Sequence, residues 1–303
     1  MNGIICIDKP KGFTSFDVIA KLRGILKMRR LGHAGTLDPM ATGVLPVFAG
    51  YATKACHILP DEDKRYTAEF QLGQVSDTQD STGKILETHD FAGISEEQIL
   101  QAIPIGEIMQ IPPMYSAVSV NGKRLYELAR EGKEIERQPR AIQINSVNCP
   151  EFNSESGKGT LEIHCGTGTY VRTLIHDMGQ TLGCGAIMTG LRRSYAGGFS
   201  LEDCYTLEEV QKFAEEDKLS EIIIPVEKLF RTLPAIYLNQ EQTVHYRNGV
   251  KLGLSQFRNQ LTDAERYAVY GTPDGFLGTA AADKEKHCLR VERNLCEPRK
   301  AES

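Results

Sequence analysis

The stretch "GHAGTLDPMATGVLP", residues 32–46, contains three glycines, two prolines and one carboxylate within an otherwise apolar run. So many backbone breakers exclude a helix, and Pro39 biases the preceding Asp38 toward an extended conformation. We therefore predict that Asp38 lies on a loop of restricted shape. The pattern leaves two roles open for it. The carboxylate can cap its own turn, which is a common use of aspartate in loops, or it can face a substrate.

Length and composition limit the class of protein around this loop. The chain has 303 residues, which suits two domains, and its 41% hydrophobic and 25% charged content is that of a soluble globular protein. No apolar run approaches the roughly 18 residues that span a bilayer, and the N-terminus lacks the order of a signal peptide. We expect a cytoplasmic protein with no membrane partner. The eight cysteines contain no C-x-x-C pair, which favours reduced thiols over a disulfide framework or a zinc site.

The charge is distributed unevenly along the chain. The net charge is −5, yet residues 1–54 carry eight Lys and Arg against three Asp and no Glu, a net charge of +5. Such a segment can steer a polyanion to one face of the protein, although a solvated helix face would have the same composition. Segment 14–30 is predicted to be a helix. On it, Arg23, Lys27 and Arg30 are spaced i, i+4 and i+7, and we expect them to share one edge.

Two segments in the middle of the chain hold further candidate residues. "RYTAEFQLG", residues 65–73, alternates apolar and polar side chains, which predicts a half-buried strand with Tyr66 on its apolar side. Residues 159–183 pass from a strand into a helix with Arg172 in its first turn, where a cation opposes the helix dipole by up to about 1 kcal/mol. An anionic partner would offset that cost, and an ordinary surface arginine is the alternative. The sequence contains neither a complete dinucleotide fingerprint nor a phosphate-binding loop, so we expect no nucleotide cofactor.

The remaining segments suggest how the chain is divided. "ISEEQILQAI" predicts a short helix with a capping box, and residues 111–132 predict a proline-led loop, a strand, an Asn-Gly turn and a helix. A charged stretch at 208–221 separates this part from a series of short strand-like segments, "LPAIYL", "RYAVY", "GFLGTAAAD" and "KHCLRVER". We predict a first domain over 1–227 and a small β-rich domain over 228–303, with residues 299–303 frayed.

A family resemblance connects these candidates. "GHAGTLDPMATGVLP" resembles the signature of the TruB-type tRNA pseudouridine synthases, which isomerise the uridine at position 55 in the T-loop. The similarity continues, in the family's order, through "DKPKGFTSFDV", "KRYTAEFQLG", "PPMYSAVSVNGKRLYELAREG", "GTYVRTLIHDMG" and "LRRS". It implies an α+β fold: a catalytic domain around a mixed, largely antiparallel sheet over 1–227, followed by a PUA-like RNA-binding domain over 228–303.

The resemblance also assigns roles to individual residues. It implies that Asp38 is the catalytic aspartate, that Tyr66 stacks on the target base and that Arg172 pairs with the aspartate. The other matched positions are His33, which enters the T-loop region as the base leaves it, Tyr170 and Leu191, which line the pocket, and Lys9 and Pro10, which support the catalytic loop. One position departs from the family: Ala34 stands where threonine is more usual. This affects the loop rather than a residue with a chemical role.

The implied reaction explains why these residue types are needed. Isomerisation involves no net oxidation and no outside group, so a carboxylate suffices and we expect no cofactor. The uridine must be flipped out at a cost of a few kcal/mol, which stacking on an aromatic ring offsets by roughly 1–3 kcal/mol. The other histidines form no ligand cluster, so we expect no metal. The expected partner is the T-arm of tRNA, bound by a monomer.

Two alternatives use the same cleft. A non-catalytic tRNA-binding protein or RNA-folding chaperone would need no buried carboxylate beside a polyanion, so the set of Asp38, Tyr66 and Arg172 argues against it. A guide-RNA-dependent synthase within a ribonucleoprotein is disfavoured by the absence of long basic tails. The sequence therefore favours a stand-alone enzyme.

Overall fold

The computed structural model of the chain describes residues 1–116, 118–120 and 122–296. Residue 121 of the predicted Asn-Gly turn, and residues 297–303 with the predicted frayed end, lie outside this part. The strands are β1 (Gly3–Lys9), β2 (Leu31–His33), β3 (Thr42–Ala49), β4 (Lys64–Leu72), β5 (Gln74–Ser76), β6 (Ile85–Thr88), β7 (Gly106–Gln110), β8 (Ser119–Val120), β9 (Lys123–Arg124), β10 (Arg140–Asn153), β11 (Lys158–Cys165), β12 (Ala186–Ala196), β13 (Phe199–Ser200), β14 (Cys204–Tyr205), β15 (Ala235–Leu238), β16 (Leu252–Gly253), β17 (Arg266–Gly271), β18 (Gly275–Asp283) and β19 (Cys288–Asn294). The α-helices are α1 (Ser15–Ile25), α2 (Glu96–Gln101), α3 (Leu125–Arg130), α4 (Val171–Thr181), α5 (Leu207–Glu215), α6 (Leu219–Ile222) and α7 (Gln240–Arg247), and short 3₁₀ helices cover Gly50–Ala55, Leu201–Asp203, Val226–Phe230 and Leu254–Phe257.

The larger sheet has ten strands and occupies the first part of the chain. Its main order is β14-β1-β3-β12-β4-β11-β10-β7, with β2 paired to β3 and β13 paired to β12. The pairs β1–β14 and β3–β12 are parallel, and the other pairs of this sheet are antiparallel. The prediction of a mixed, largely antiparallel sheet is confirmed.

Strand β4 lies in the middle of this sheet and has the predicted alternation. Its buried positions are Tyr66, Ala68, Phe70 and Leu72, and the positions between them are exposed or half-buried. Helix α4 covers the same face, because its Val171, Leu174, Ile175 and Met178 join these side chains in one hydrophobic cluster. Packing of α4 on β4 brings the N-terminus of the helix next to Tyr66.

Helix α1 begins as predicted but ends earlier. Thr14 is the N-cap, and its hydroxyl and the Asp17 carboxylate form a reciprocal capping box. The helix ends at Ile25, and Lys27 adopts a left-handed conformation with φ +49° as the chain turns toward β2. The predicted helix over 14–30 is therefore too long, and the spacing argument that placed Arg23, Lys27 and Arg30 on one helical edge is wrong.

The charged stretch at 208–221 does not act as a separating segment. It forms most of α5 and α6, which place Leu207, Val210 and Ile222 in a hydrophobic cluster with Val18 and Leu22 of α1. The high charge belongs to the solvent-facing side of α5, whose Thr206 N-cap forms a capping box with Glu209. An amphipathic helix and a polar linker have similar compositions, and here packing decides between them.

The second sheet has five strands in the order β15-β17-β18-β19-β16. Strands β15 and β17 are parallel and the other pairs are antiparallel, and the four strand-like segments predicted beyond residue 227 are all present. Helix α7, which Asn239 caps with Gln242, was not predicted from the sequence. Only Thr243 and Tyr246 of this helix are buried, so its apolar periodicity is too weak to recognise.

The two sheets share hydrophobic contacts. Phe230, Ala268 and Leu295 belong to the same cluster as Ile4 and Phe48 of the first sheet. All eight cysteines are free thiols. In the described residues, no helix has the length and apolar character needed to cross a membrane.

Candidate active site

The loop that carries Asp38 is fixed by its own backbone and by the first residue of α1. The Ser15 hydroxyl accepts a hydrogen bond from the Leu37 amide (2.9 Å) and donates one to the Leu37 carbonyl (3.2 Å). The Ala41 amide donates to the Asp38 carbonyl (3.0 Å) and closes a turn. Ser15 is buried. The main chain on both sides of Asp38 is therefore held in place, as the prediction of a restricted loop required.

Lys9 supports the other side of this loop from inside the protein. Its amine donates to the carbonyls of Phe13 (2.5 Å), Pro10 (3.0 Å) and Pro39 (3.4 Å), and the Gly12 amide also donates to Pro39 (2.7 Å). Lys9 is fully buried, and this burial lowers its pKa to about 8. Lys9 and Pro10 thus lie beside the Asp38 loop, and the Lys9 amine donates to carbonyls of this chain.

Arg172, the second residue of α4, forms an ion pair with Asp38. Its Nε lies 2.8 Å from Asp38 Oδ2, while Nη1 and Nη2 donate to the carbonyls of Thr78 (3.0 Å) and Tyr115 (2.8 Å). Nη1 also lies 3.6 Å from Asp80 Oδ2. The Arg172 side chain is 5% exposed and that of Asp38 is 36% exposed. A fixed cation therefore holds a carboxylate that remains accessible.

Asp80 is a component of this network that the sequence analysis did not identify. It is buried within the turn after β5, where it accepts hydrogen bonds from the hydroxyl of Thr78 (2.8 Å) and from the amide (2.9 Å) and hydroxyl (2.5 Å) of Thr82. Arg172 thus lies between two carboxylates, which explains a cation in the first turn of a helix. The turn-forming composition of this segment hid the role of Asp80.

The exposed side of the ion pair faces a cavity of about 270 Å³. Asp38, Tyr66 and Arg172 line it, and so do the two residues predicted as pocket residues, Tyr170 and Leu191. The structure therefore brings these five together although they are as much as 153 positions apart in the sequence. Burial raises the pKa of the Tyr66 hydroxyl, so its ring presents an apolar, uncharged surface to the cavity.

Tyr170 is held in position by Gln110, which the sequence analysis also missed. The Gln110 side-chain amide accepts from the Tyr170 amide (2.9 Å) and donates to the Tyr170 carbonyl (3.1 Å). Tyr170 is the N-cap residue of α4, so Gln110 fixes the start of the helix that carries Arg172. A buried glutamine at the end of a strand gives no local sequence signal for such a role.

His33 lines a second, larger cavity. This cavity has a volume of about 790 Å³, and Asp38 and Arg172 line it too, so the two cavities meet at the ion pair. Burial lowers the pKa of His33. The same cavity is lined by Arg124 and Arg130, and by the carboxylates Asp38 and Asp80.

The predicted cationic edge is not assembled on one helix. Arg23 and Arg30 contact aromatic rings instead: the Arg23 guanidinium lies 5.7 Å from the ring centre of Phe16, and that of Arg30 lies 4.3 Å from the ring centre of Tyr51. Lys27, which follows the end of α1, is exposed. Among the residues described, no group of three or more His, Cys, Asp or Glu side chains is arranged to hold a metal ion.

Solved structures share this fold. One chain of "Crystal Structure of a Cbf5-Nop10-Gar1 Complex" matches with a TM-score of 0.73 and 26% identity over 97% of this chain and 85% of that one. A chain of "Structure of H/ACA RNP bound to a substrate RNA containing 2'-deoxyuridine" matches with a TM-score of 0.71, at 24% identity and with the same coverage. At 24% identity, the match to this second structure shows a shared fold only. The architecture is the pseudouridine synthase fold, followed by a five-stranded sheet in the C-terminal part of the chain.

Sequence comparison identifies the family. The profile described as "TruB family pseudouridylate synthase (N terminal domain)" matches residues 23–171, and "tRNA pseudouridylate synthase B C-terminal domain" matches 172–231. The protein named tRNA pseudouridine synthase B in Clostridium tetani is 39% identical over 94% of this chain and 97% of its own length. The protein of that name in Haemophilus influenzae is 38% identical over 92% and 89%. The chain belongs to the TruB family of pseudouridylate synthases.

Proposed function

We propose that this protein isomerises uridine to pseudouridine at position 55 in the T-loop of tRNA, with Asp38 as the catalytic carboxylate. The observation that carries the proposal is the ion pair: Asp38 is 36% exposed at a cavity, while its partner Arg172 is 5% exposed and fixed by two carbonyls. Family membership supports the reaction, and the names of the relatives at 38–41% identity, tRNA pseudouridine synthase B, support tRNA as the substrate.

The isomerisation requires that the base leave its ribose and return through another atom. The N1–C1′ bond breaks, the uracil turns, and C5 forms the new bond to C1′. C5 then loses its proton to a base or water and N1 takes one up, so there is no net gain or loss of atoms or electrons and no outside co-reactant is consumed. Asp38 acts at the ribose or the ring as the negatively charged partner of this rearrangement. Arg172 holds the carboxylate in place.

The cavity residues receive the flipped base. Tyr66 offers an uncharged ring on which the uracil stacks, which offsets part of the cost of removing it from the T-loop. Leu191 and Tyr170 line the same cavity and exclude water from the base. His33 faces the adjoining larger cavity, where it lies beside the RNA that the base has left.

The surrounding surface suits the T-arm of tRNA. Arg124 and Arg130 line the larger cavity, and Arg23, Lys27 and Arg30 are exposed on the N-terminal segment of net positive charge. These cations give a phosphate backbone its electrostatic contacts. We further propose that the enzyme acts in the cytoplasm as a monomer without cofactor. Its relatives at 38–41% identity are named as tRNA enzymes, and this supports a stand-alone enzyme over a guide-RNA-dependent one.

The test uses the purified chain and an unmodified tRNA transcript with no added cofactor or guide RNA. Pseudouridine is mapped by carbodiimide modification and primer extension. We expect a single stop at position 55, and its absence from a transcript in which that uridine is replaced by cytidine. Tight binding of the transcript with no pseudouridine formed would contradict the proposal and support a non-catalytic RNA-binding protein.

A further inference from the structure

Arg193 lies between the two parts of the chain that carry the proposed catalytic groups. On β12 it is paired with Tyr66 of β4 on one side and with Gly43 of β3 on the other. Its side chain is completely buried, yet it contributes to the wall of the 270 Å³ cavity together with Asp38 and Tyr66. The resemblance assigned no role to this residue.

The Arg193 side chain ties both ends of the Asp38 loop to this strand. Nε donates to the Val44 carbonyl (2.8 Å) and Nη2 donates to the Gly35 carbonyl (2.9 Å). These carbonyls stand before and after Asp38 in the sequence. Gly43 has φ +102°, and a Cβ there would overlap the Arg193 carbonyl oxygen. The loop and β12 therefore approach more closely than a larger residue would permit, and Arg193 connects the Asp38 loop to the strand paired with Tyr66.

The charge of Arg193 is not neutralised by a neighbour. Among the described residues, no carboxylate forms an ion pair with it, and its Nη1 is buried without a hydrogen-bond partner. Removing a cation from water without an anionic partner costs several kcal/mol. Its field also acts on other groups: after burial, repulsion by Arg193 is the next cause that lowers the pKa of His33 and of Lys64. An uncompensated positive charge therefore stands at the wall of the cavity.

We propose that Arg193 is a positioning residue of the isomerisation: it fixes the Asp38 loop against the strand of Tyr66, and its unpaired charge stabilises the uracil as it leaves the ribose. This inference rests on the proposed function. When the N1–C1′ bond breaks, the electron pair stays with the uracil and is shared among N1, O2 and O4. A fixed cation in a site of low dielectric stabilises that developing charge without reorganising. The charge is relieved when C5 bonds to C1′.

Substitutions at Arg193 separate the charge from the hydrogen bonds. Arg193→Lys keeps the charge and Arg193→Gln removes it, and neither keeps the paired contacts to Val44 and Gly35. Single-turnover rates are measured with excess enzyme on a T-arm RNA, beside RNA binding and thermal melting. We expect Arg193→Gln to be slower than wild type by at least about 100-fold and Arg193→Lys to be at least tenfold faster than Arg193→Gln. The control is Arg192→Gln on the same strand, an exposed residue paired with Asp8 (2.8 Å), which should stay within about threefold of wild type.

The pH dependence of Arg193→Lys provides a second measurement that does not require a stable neutral variant. A lysine in this buried position has a lowered pKa, as Lys9 does, whereas arginine stays protonated. We expect the rate of Arg193→Lys relative to wild type to fall as pH rises from 7 to 10. The same titratable neighbours are present in both enzymes, so a trend in the ratio reports the charge at position 193, acting directly or through the pKa of these neighbours: Lys9, His33, Asp38, Lys64, Tyr66 and Cys165.

The outcomes distinguish this inference from the proposed function. If wild type forms no pseudouridine, the proposed function fails first. If wild type is active, equal rates for folded Arg193→Lys and Arg193→Gln, or a Lys-to-wild-type ratio that is independent of pH, overturn the role of the charge. Arg193 would then serve only to hold the loop.

Discussion

At the scale of single residues, the site depends on an ion pair in which the arginine is buried and the carboxylate is partly exposed. Arg172 donates in three directions, to Asp38, to Thr78 and to Tyr115, and it lies near Asp80 as well. Desolvating such a cation is costly unless most of its donors are satisfied. The buried partners meet that requirement, so the outer carboxylate can remain partly exposed. Asp38 is therefore rigid without being enclosed, which a carboxylate that meets a substrate requires.

Asp38→Asn tests this arrangement directly. Asparagine keeps the size and hydrogen-bonding capacity of the side chain but removes its charge, so we expect the single-turnover rate to fall by at least about 10³-fold. RNA binding should persist, because stacking on Tyr66 needs no carboxylate. Filter binding, a thermal melt and pseudouridine mapping measure the three properties separately.

The matched control is Asp8→Asn, because Asp8 also pairs with an arginine at 2.8 Å but is not among the residues lining either cavity at Asp38. It should retain activity. A rate for Asp38→Asn within about tenfold of wild type would contradict the catalytic role.

The lowered pKa of Lys9 predicts how the stability of the protein depends on pH. Its pKa is about 8 in the fold and about 10.5 in the unfolded chain, so the unfolded state binds the proton more tightly between these values. The contribution of Lys9 to the free energy of unfolding therefore increases as pH rises through this window. We expect the stability difference between wild type and Lys9→Met to grow in favour of wild type from pH 8 to 9.5, as measured by urea unfolding. Lys11→Met, at an exposed lysine, should show no such trend, and a flat difference for Lys9→Met would refute the buried charge.

At the scale of elements, tertiary packing gave a structure that differs from what the local sequence patterns predicted. Helix α1 ends at Ile25 because the chain must turn into β2, and the cations beyond that point take positions set by their neighbours. Arg30 contacts Tyr51 and donates from Nε to the Thr53 hydroxyl (3.2 Å). The basic surface is therefore formed by two segments rather than by one helix face.

The salt dependence of RNA binding tests whether this surface meets phosphates. Each phosphate contact adds about 0.7 to 0.9 to the slope of log affinity against log salt concentration. The triple variant Arg23→Ala, Lys27→Ala and Arg30→Ala should therefore lower the slope by about two to three. The control variant replaces Lys212 and Lys218, exposed lysines near Glu216 on the α5–α6 segment, and should leave the slope unchanged. An unaltered slope in the triple variant would show that these cations are solvated surface residues that do not contact phosphates.

At the scale of the whole molecule, the two sheets are coupled by a shared core. Phe230 is fully buried, stacks on Phe276 of the second sheet at 5.8 Å and belongs to the cluster that contains Ile4 and Phe48 of the first. The domain boundary at residue 227 thus remains a prediction. It lies three residues before Phe230, whose side chain packs against residues of both sheets.

Phe230→Ala measures this coupling. Truncating a buried phenylalanine costs about 3–5 kcal/mol, and here we expect the loss in a single cooperative transition, since the cluster joins both sheets. Urea unfolding followed by circular dichroism gives the free energy and the number of transitions. Val250→Ala, at an exposed position, should change the stability by less than about 0.5 kcal/mol. A first sheet that keeps its wild-type midpoint while the second unfolds separately would refute the shared core.

The elements whose signals are local could be predicted from the sequence alone. The Pro and Gly content of residues 32–46 excluded a helix, the alternation of β4 placed Tyr66 inward, and the ordered motifs identified the family. The roles of Asp80, Gln110 and Arg193, and the end of α1, became visible only in the fold. Each of these depends on partners distant in the chain: Arg172 for Asp80, Tyr170 for Gln110, and the carbonyls of Gly35 and Val44 for Arg193. A polar residue that is buried because of what it meets across the fold has no periodicity of its own, and only packing supplies the partner that gives it a role.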